Sequence, residues 1–200
     1  MVRENLRIKN IELKNFRPYE DVTIEFSQDK KKTFTVIEGN NSAGKTSLIN
    51  GMYWCLYGKE QFLNEGEGKP IPNQNILNNV KVGSTCESSV TITINDDDGP
   101  KYQICRSLIC RREKEDKTKK SDIDAGGQID SGFTTFISQT FTQRTGRGDW
   151  DPTSHPEKFT DRVTKILPEK LAGFVIFNGE ILDSFFKTDN AGKIKDGIEK

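Results

Sequence analysis

The stretch GNNSAGKT, residues 39–46, decides how this chain is to be read. Gly39 and Gly44 bracket it and Lys45 and Thr46 close it, in the GxxxxGK[ST] spacing of a phosphate-binding loop. Each residue type has a task there. The glycines let the backbone bend until successive N–H groups converge on phosphate oxygens, and a helix beginning near Gly44 adds the positive end of its dipole. Lys45 is placed to reach the β- and γ-phosphates, and the Thr46 hydroxyl to ligate Mg2+. Asn40, Asn41, Ser42 and Ala43 contribute mainly backbone N–H groups, and Ser47 follows directly. The surroundings agree. TFTVIE (33–38) is a β-rich run leading into the loop, and SLINGMYWCLYG (47–58) puts Leu48, Met52, Cys55 and Leu56 at helical spacing. Gly58 suits a helix stop. No NKxD segment for reading guanine occurs, so the expected ligand is ATP with Mg2+.

Outward from the loop, LRIKNIELKN (6–15) alternates apolar and polar residues, the mark of a half-buried strand. Pro18 breaks the run, Val22, Ile24 and Phe26 resume it, and SQDKKK (27–32) reads as a turn. Residues 59–80 are rich in Gly, Asn and Pro and carry no clear period. Val90, Ile92 and Ile94 then alternate, DDDGP (96–100) turns, and Tyr102, Ile104 and Leu108 return, which predicts a hairpin. Residues 111–131 are charged and then glycine-containing, as in a solvated excursion. Phe133, Phe136, Ile137 and Phe141 suggest another strand, and PEKFTDRVTKIL (156–167) a helix ahead of Pro168. FVIF (174–177) has the all-apolar character of a buried strand in a parallel sheet. AGKIKDGIEK (191–200) is helical in pattern with no stop signal, which predicts a polypeptide cut there by fragment design. The expected fold class is α/β: antiparallel hairpins at the N-terminus, parallel core strands and the P-loop helix.

Composition narrows the function classes. Lys plus Arg equals Asp plus Glu at 30 each, so global charge points to no partner. No apolar run approaches the roughly 20 residues that span a bilayer, and MVRENLRIKN lacks the apolar heart of a secretion signal. The expected setting is cytoplasmic, with no membrane partner. Cys55, Cys86, Cys105 and Cys110 form no CxxC pair and read as scattered thiols. With His155 as the sole histidine, a zinc or His-based catalytic site is not expected.

Phosphate binding alone does not give hydrolysis, which also needs a carboxylate on a second strand and a group to orient water. TITINDDDGP (91–100) offers acids, yet Thr91 and Thr93 alternate with the isoleucines, and DDDGP is better hairpin chemistry than metal chemistry. FVIFNGE (174–180) is the better imitation, but Asn178 sits where the magnesium-holding Asp should be. The acidic strand is therefore expected outside these residues.

IELKNFRPYEDVTIEF (11–26) resembles the first hairpin of ATPase heads of the SbcC and SMC type, ABC-class enzymes of DNA repair and chromosome handling. GNNSAGKTSLINGMYWCLYG (39–58) is similar to their GxNGxGKS loop and the helix after it, with Ser42 in place of a glycine. LPEKLAGFVIFNGEILDSFF (167–186) resembles the PxxLxxFFFFDGExI stretch of DndD-like proteins, ATPases associated with DNA phosphorothioation and phage defence. By position Asn178 stands where SbcC-type heads have a Q-loop Gln and DndD-like ones an Asp. The resemblance thus assigns it phosphate or magnesium sensing, with Glu180 close by. It also brings Arg17 of the NFR segment towards the nucleotide phosphates.

The resemblance implies a split enzyme. Residues 1–187 would be the N-terminal lobe of an ABC-ATPase head, and 188–200 the start of a helix leading into a coiled coil. The C-terminal lobe of the same protein would carry the signature motif, the Walker B Asp-Glu pair and a switch His. Two heads would sandwich two ATP molecules in a homodimer that acts on DNA, and these residues alone would be inactive. Arg106, Arg111, Arg112, Lys114, Lys117, Lys119 and Lys120 could meet a DNA backbone, although interleaved Glu113, Glu115 and Asp116 favour a solvated loop. Other readings are a compact RecF-like ATPase, or a self-contained P-loop kinase or GTPase using FVIFNGE as its second strand. In a further one the nucleotide serves only as a folding ligand.

Overall fold

Period-two alternation near the N-terminus produces strands that can pair with their immediate neighbours in sequence. In a computed structural model, which describes residues 5–32, 34–61, 71–97, 99–114, 132–144, 150–153 and 158–176, β1 (Arg7–Phe16) turns at Arg17 and Pro18 into β2 (Tyr19–Glu25). β3 (Thr85–Asp96) and β4 (Gly99–Arg112) form the second hairpin around the acidic turn, longer than the alternation alone marks. β5 (Phe133–Arg144) returns along β4, and β6 (Trp150–Thr153) adds a short edge. The order is β2-β1-β3-β4-β5-β6, with every neighbouring pair antiparallel.

Alternate residues of the central strands share one face, and α1 (Lys45–Tyr57) covers it. Ile11, Leu13, Val90, Ile92 and Ile104 meet Leu48, Met52, Cys55 and Leu56 in one buried cluster. Burying a side chain of this size stabilises by about 1.5–3 kcal/mol, so this layer is the main source of stability. Gly51 sets how closely the helix approaches: a Cβ there would stand 3.0 Å from Leu13 Cδ2 and 3.3 Å from Phe16 Cε1. Gly58 stops the helix as its position suggests, at φ 76°, with its N–H on the Trp54 carbonyl at 2.9 Å.

Three short helices complete the layer. α2 (Gln74–Asn79) falls in the stretch without a period and is capped by Asn73, whose side chain accepts from the Asn75 N–H. α3 (Phe159–Ile166) realises the helix expected before Pro168, burying Phe159 and Val163. α4 (Glu169–Val175) lies against α1, where the Tyr57 hydroxyl donates to the Leu167 carbonyl at 2.9 Å and the Tyr53 hydroxyl to the Ile176 carbonyl at 3.1 Å. No helix among the described residues is long and apolar enough to cross a membrane.

Two expectations are corrected. Residues 34–38 form no strand, and Phe34, Val36 and Ile37 are exposed. Residues 174 and 175 of FVIF close a helix instead of opening a strand, with Phe174 and Val175 exposed. The parallel core strands are therefore absent among the described residues, and the sheet is antiparallel throughout. A parallel strand needs a neighbour brought in by a long crossover, and no described strand pairs with either run. Local preference then prevails in the second, where Pro168 is the N-cap and Glu169 adds an acid to the first turn of a helix over EKLAGFV. Asn178, Glu180, Phe185, Phe186, His155, residues 115–131 and the expected helix at 188–200 lie outside the described residues.

Candidate nucleotide site

The phosphate loop leads straight into the helix that the sheet holds most firmly. Gly44 is the N-cap of α1 at φ 96°, and Ser42 also stands in the left-handed region at φ 65°. A non-glycine residue there costs roughly 1–2 kcal/mol, which is what the chain accepts by carrying Ser42. The Ala43 N–H closes a tight turn on the Asn40 carbonyl at 3.1 Å. Asn40, Asn41, Ser42 and Ala43 are exposed, and Thr46 and Ser47 are half-buried in the first turn of α1.

Lys45 folds its ammonium back across the loop, donating to the Gly39 carbonyl at 2.6 Å and the Asn40 carbonyl at 2.9 Å. No side chain caps α1 at this end and no acid occupies its first turn, while a helix N-terminus leaves N–H groups without intrahelical acceptors. One cation, a row of backbone N–H groups and no carboxylate suit a polyanion. These residues fit the phosphates of ATP, with Lys45 and the first turn of α1 as the holding groups. Thr46 would be the residue to hold magnesium there, and no cluster of three or more His, Cys, Asp or Glu residues that could hold a metal occurs among the described residues.

Tyr19 is a member of this site that the sequence reading missed. Its hydroxyl donates to the Gly44 carbonyl at 3.0 Å, the same carbonyl that accepts the Leu48 N–H at 2.9 Å. Burial raises its pKa, so the phenol keeps the proton it donates. A Cβ at Gly44 would fall 2.8 Å from this hydroxyl and 3.3 Å from Pro18 Cγ. The first hairpin turn thus braces the loop from behind, and Gly44 is required both for its φ and for that approach. The available signal was Pro-Tyr at the turn between two alternating strands.

Arg17 sits in the same turn, at φ 55°. Its guanidinium is buried and grips the Glu60 carboxylate with two nitrogens, Nε at 3.0 Å from Oε1 and Nη2 against Oε2. Its backbone is held too, with N–H on the Ile71 carbonyl at 2.8 Å and its carbonyl taking the Asn73 amide at 2.9 Å. The guanidinium expected at the phosphates is thus occupied by Glu60, a residue in a stretch whose sequence offered no pattern. Asn178 lies outside the described residues, but Ile176 shortly before it is anchored to α1 through Tyr53.

Comparison with known families finds the AAA domain over residues 10–165, most of the chain, taking in the loop, α1, β2 to β6 and most of β1. The chain belongs to the AAA domain family. Curated relatives match this chain over a shorter stretch. It is 36% identical over 58 residues to the DNA replication and repair protein RecF of Clostridium acetobutylicum, covering 29% of this chain and 15% of that protein. It is 44% identical over 52 residues to the protein of that name from Acetivibrio thermocellus, covering 26% of this chain and 13% of that one. The matched stretch is thus under one sixth of the length of these relatives.

The basic residues of this AAA domain divide. Arg106 is buried, donates from Nε to the Cys55 carbonyl at 3.2 Å and stacks over Phe159 with its guanidinium carbon 5.1 Å from the ring centroid. It ties β4 to the end of α1 and to α3, which removes it from any surface that meets DNA. Arg112 donates to the Val80 carbonyl at 3.0 Å, whereas Arg111 is exposed beside Glu113. Lys117, Lys119 and Lys120 lie outside the described residues.

Proposed function

We propose that this AAA domain is the ATP-binding half of an SMC/RecF-type ATPase that acts on DNA, hydrolysing ATP only when completed by further protein. The observation that carries the reading is the loop itself: Gly44 in the left-handed region, Lys45 lying across the Gly39 and Asn40 carbonyls, and an uncapped α1 behind them. ATP would displace the Lys45 ammonium from those carbonyls onto its β- and γ-phosphates, take the first N–H groups of α1, and bring magnesium to Thr46.

Two observations support a split enzyme. Phe34, Val36 and Ile37 before the loop are exposed, and so are Leu171, Phe174 and Val175 beside α1. Exposed apolar side chains before the loop and on α4 are what a second lobe would cover. The proposed partners are that C-terminal lobe, a second head in a homodimer, and DNA. The order of motifs in residues 167–186 favours a DndD-like setting in DNA modification and phage defence. The RecF matches favour the compact alternative, and the sequence following this chain in its gene separates the two: long heptad repeats support the former, an early LSGG the latter.

The decisive test is ATP hydrolysis by the chain alone and mixed with the C-terminal lobe of the same gene. The expected result is silence alone and turnover on mixing, with Lys45→Ala lowering that turnover by about 10²–10³-fold, the usual effect of removing one positioned charge donor from a catalytic site. Robust Lys45-dependent turnover by the chain alone would overturn the split reading.

A further inference from the structure

The cysteines, scattered in sequence, are not scattered in space. Cys86 on β3 and Cys110 on β4 are direct cross-strand partners. They share the sheet face of Ser88, Val90 and Ile92, the face covered by α1. Antiparallel partners have Cα atoms about 4.5–5.5 Å apart, within the roughly 4.4–6.8 Å that a disulfide spans. The other two cysteines have no such geometry. Cys55 is fully buried, its thiol on the Val90 and Ile104 carbonyls, and Cys105 pairs in register with Thr91, on the opposite face of β4 from Cys110.

The partners are also unequal. Cys110 is fully buried, and the neighbouring Cys86 thiol together with that burial pushes its thiol pKa up. Cys86 is half-buried and its thiol is held below the ordinary value, chiefly by the neighbouring Cys110 thiol. Cys86 lines a groove of about 530 Å³ with Glu20, Ile76, Asn79, Val80 and Lys81. A small oxidant can enter there and meet Cys86 first, with Cys110 directly behind it.

We propose that Cys86 and Cys110 are an oxidative modification site, in which a peroxide entering the groove converts the two thiols into a cross-strand disulfide. The Cys86 thiolate attacks one peroxide oxygen, the O–O bond breaks, and the departing oxygen takes a proton to leave as water. Cys86 is then a sulfenic acid. The Cys110 sulfur attacks the Cys86 sulfur, forming the S–S bond and breaking the S–O bond, and the released hydroxide leaves as water with the Cys110 proton. One peroxide is reduced and two thiols are oxidised. The product staples β3 to β4 beside the groove. It is independent of the nucleotide site, so it stands or falls apart from the ATPase reading.

The experiment titrates the whole chain with hydrogen peroxide, blocks remaining thiols by alkylation and maps the peptides by mass spectrometry. The expected result is one linked pair, Cys86 with Cys110, reversed by dithiothreitol, retained in Cys105→Ser and lost in Cys86→Ser and Cys110→Ser. In Cys110→Ser, a dimedone probe should trap the sulfenic acid on Cys86. Peptides alkylated at Cys86 and Cys110 as fully as before peroxide, or a link involving Cys105, would overturn the proposal. Mapping of the unsubstituted chain decides this even where a serine variant does not fold.

Discussion

The layer formed by β1, β3, β4 and α1 and the runs at 34–38 and 174–175 all carry large apolar side chains, yet their outcomes are opposite. In the first, Ile11, Val90, Ile92 and Ile104 are fully buried; in the second, Val36 is 66% and Phe174 68% exposed. The difference is one of connectivity. A hairpin brings its own partner within a few residues, so its ladder and its apolar face are satisfied together. A run of parallel-strand composition has no strand partner close in sequence, and several of its large apolar side chains stay exposed. Apolar sequence marks where burial is needed, and topology decides whether this chain alone can supply it.

The comparison is sharpest where the closed layer can be broken by a single change. Glu60→Ala removes the acceptor from Arg17 and leaves a buried guanidinium unpaired. Breaking a buried pair from one side costs about 3–5 kcal/mol. Urea unfolding should therefore show the largest loss among the single changes considered, and an unchanged midpoint would mean that Arg17 is not closed in by the turn. Ile92→Ala opens a cavity beneath α1, at a cost of about 2–5 kcal/mol. A loss well below that range would place the stability of the chain somewhere other than the sheet and α1.

How much was legible follows the same line. The first hairpin, β3 and β4, α1 with its Gly58 stop, β5 and α3 were readable because each has a local signal: a period of two, a period near 3.6, or a glycine or proline at the boundary. The bend at Gly44 and the start of α1 at Lys45 were readable because the loop pattern imposes a spacing. What failed needed contacts distant in sequence. FVIF looked like a buried strand because its composition is right, but EKLAGFV with Pro168 as N-cap is also a good helix, and only a neighbouring strand could overrule that. Glu60 under Arg17, Tyr19 behind Gly44 and Cys86 opposite Cys110 are all meetings that the chain's path creates and no window of sequence contains.

Tyr19 sits on the border between the two regions, holding the nucleotide loop to the closed layer. Tyr19→Phe keeps the ring against Pro18 and Gly44 and removes one hydrogen bond, worth about 0.5–1.5 kcal/mol. The loss should appear in nucleotide affinity, by about tenfold or less, with the unfolding midpoint moved only slightly. An affinity equal to that of the unsubstituted chain would reduce Tyr19 to a packing residue.

The smallest effect on stability is expected in the open region, and that smallness is the point of the test. Val36→Asp and Phe174→Asp replace exposed side chains, and exposed positions away from special features usually change stability by within about 0.5 kcal/mol. The chain should fold as before and be more soluble. The same substitutions should abolish stimulation of ATP turnover by the C-terminal lobe, because each would bury a carboxylate without a partner in the joined head. If either variant unfolds as readily as Ile92→Ala, the run is packed within this chain and the contrast between the regions fails. If both fold and stimulation survives, the apolar runs are not where the second lobe sits.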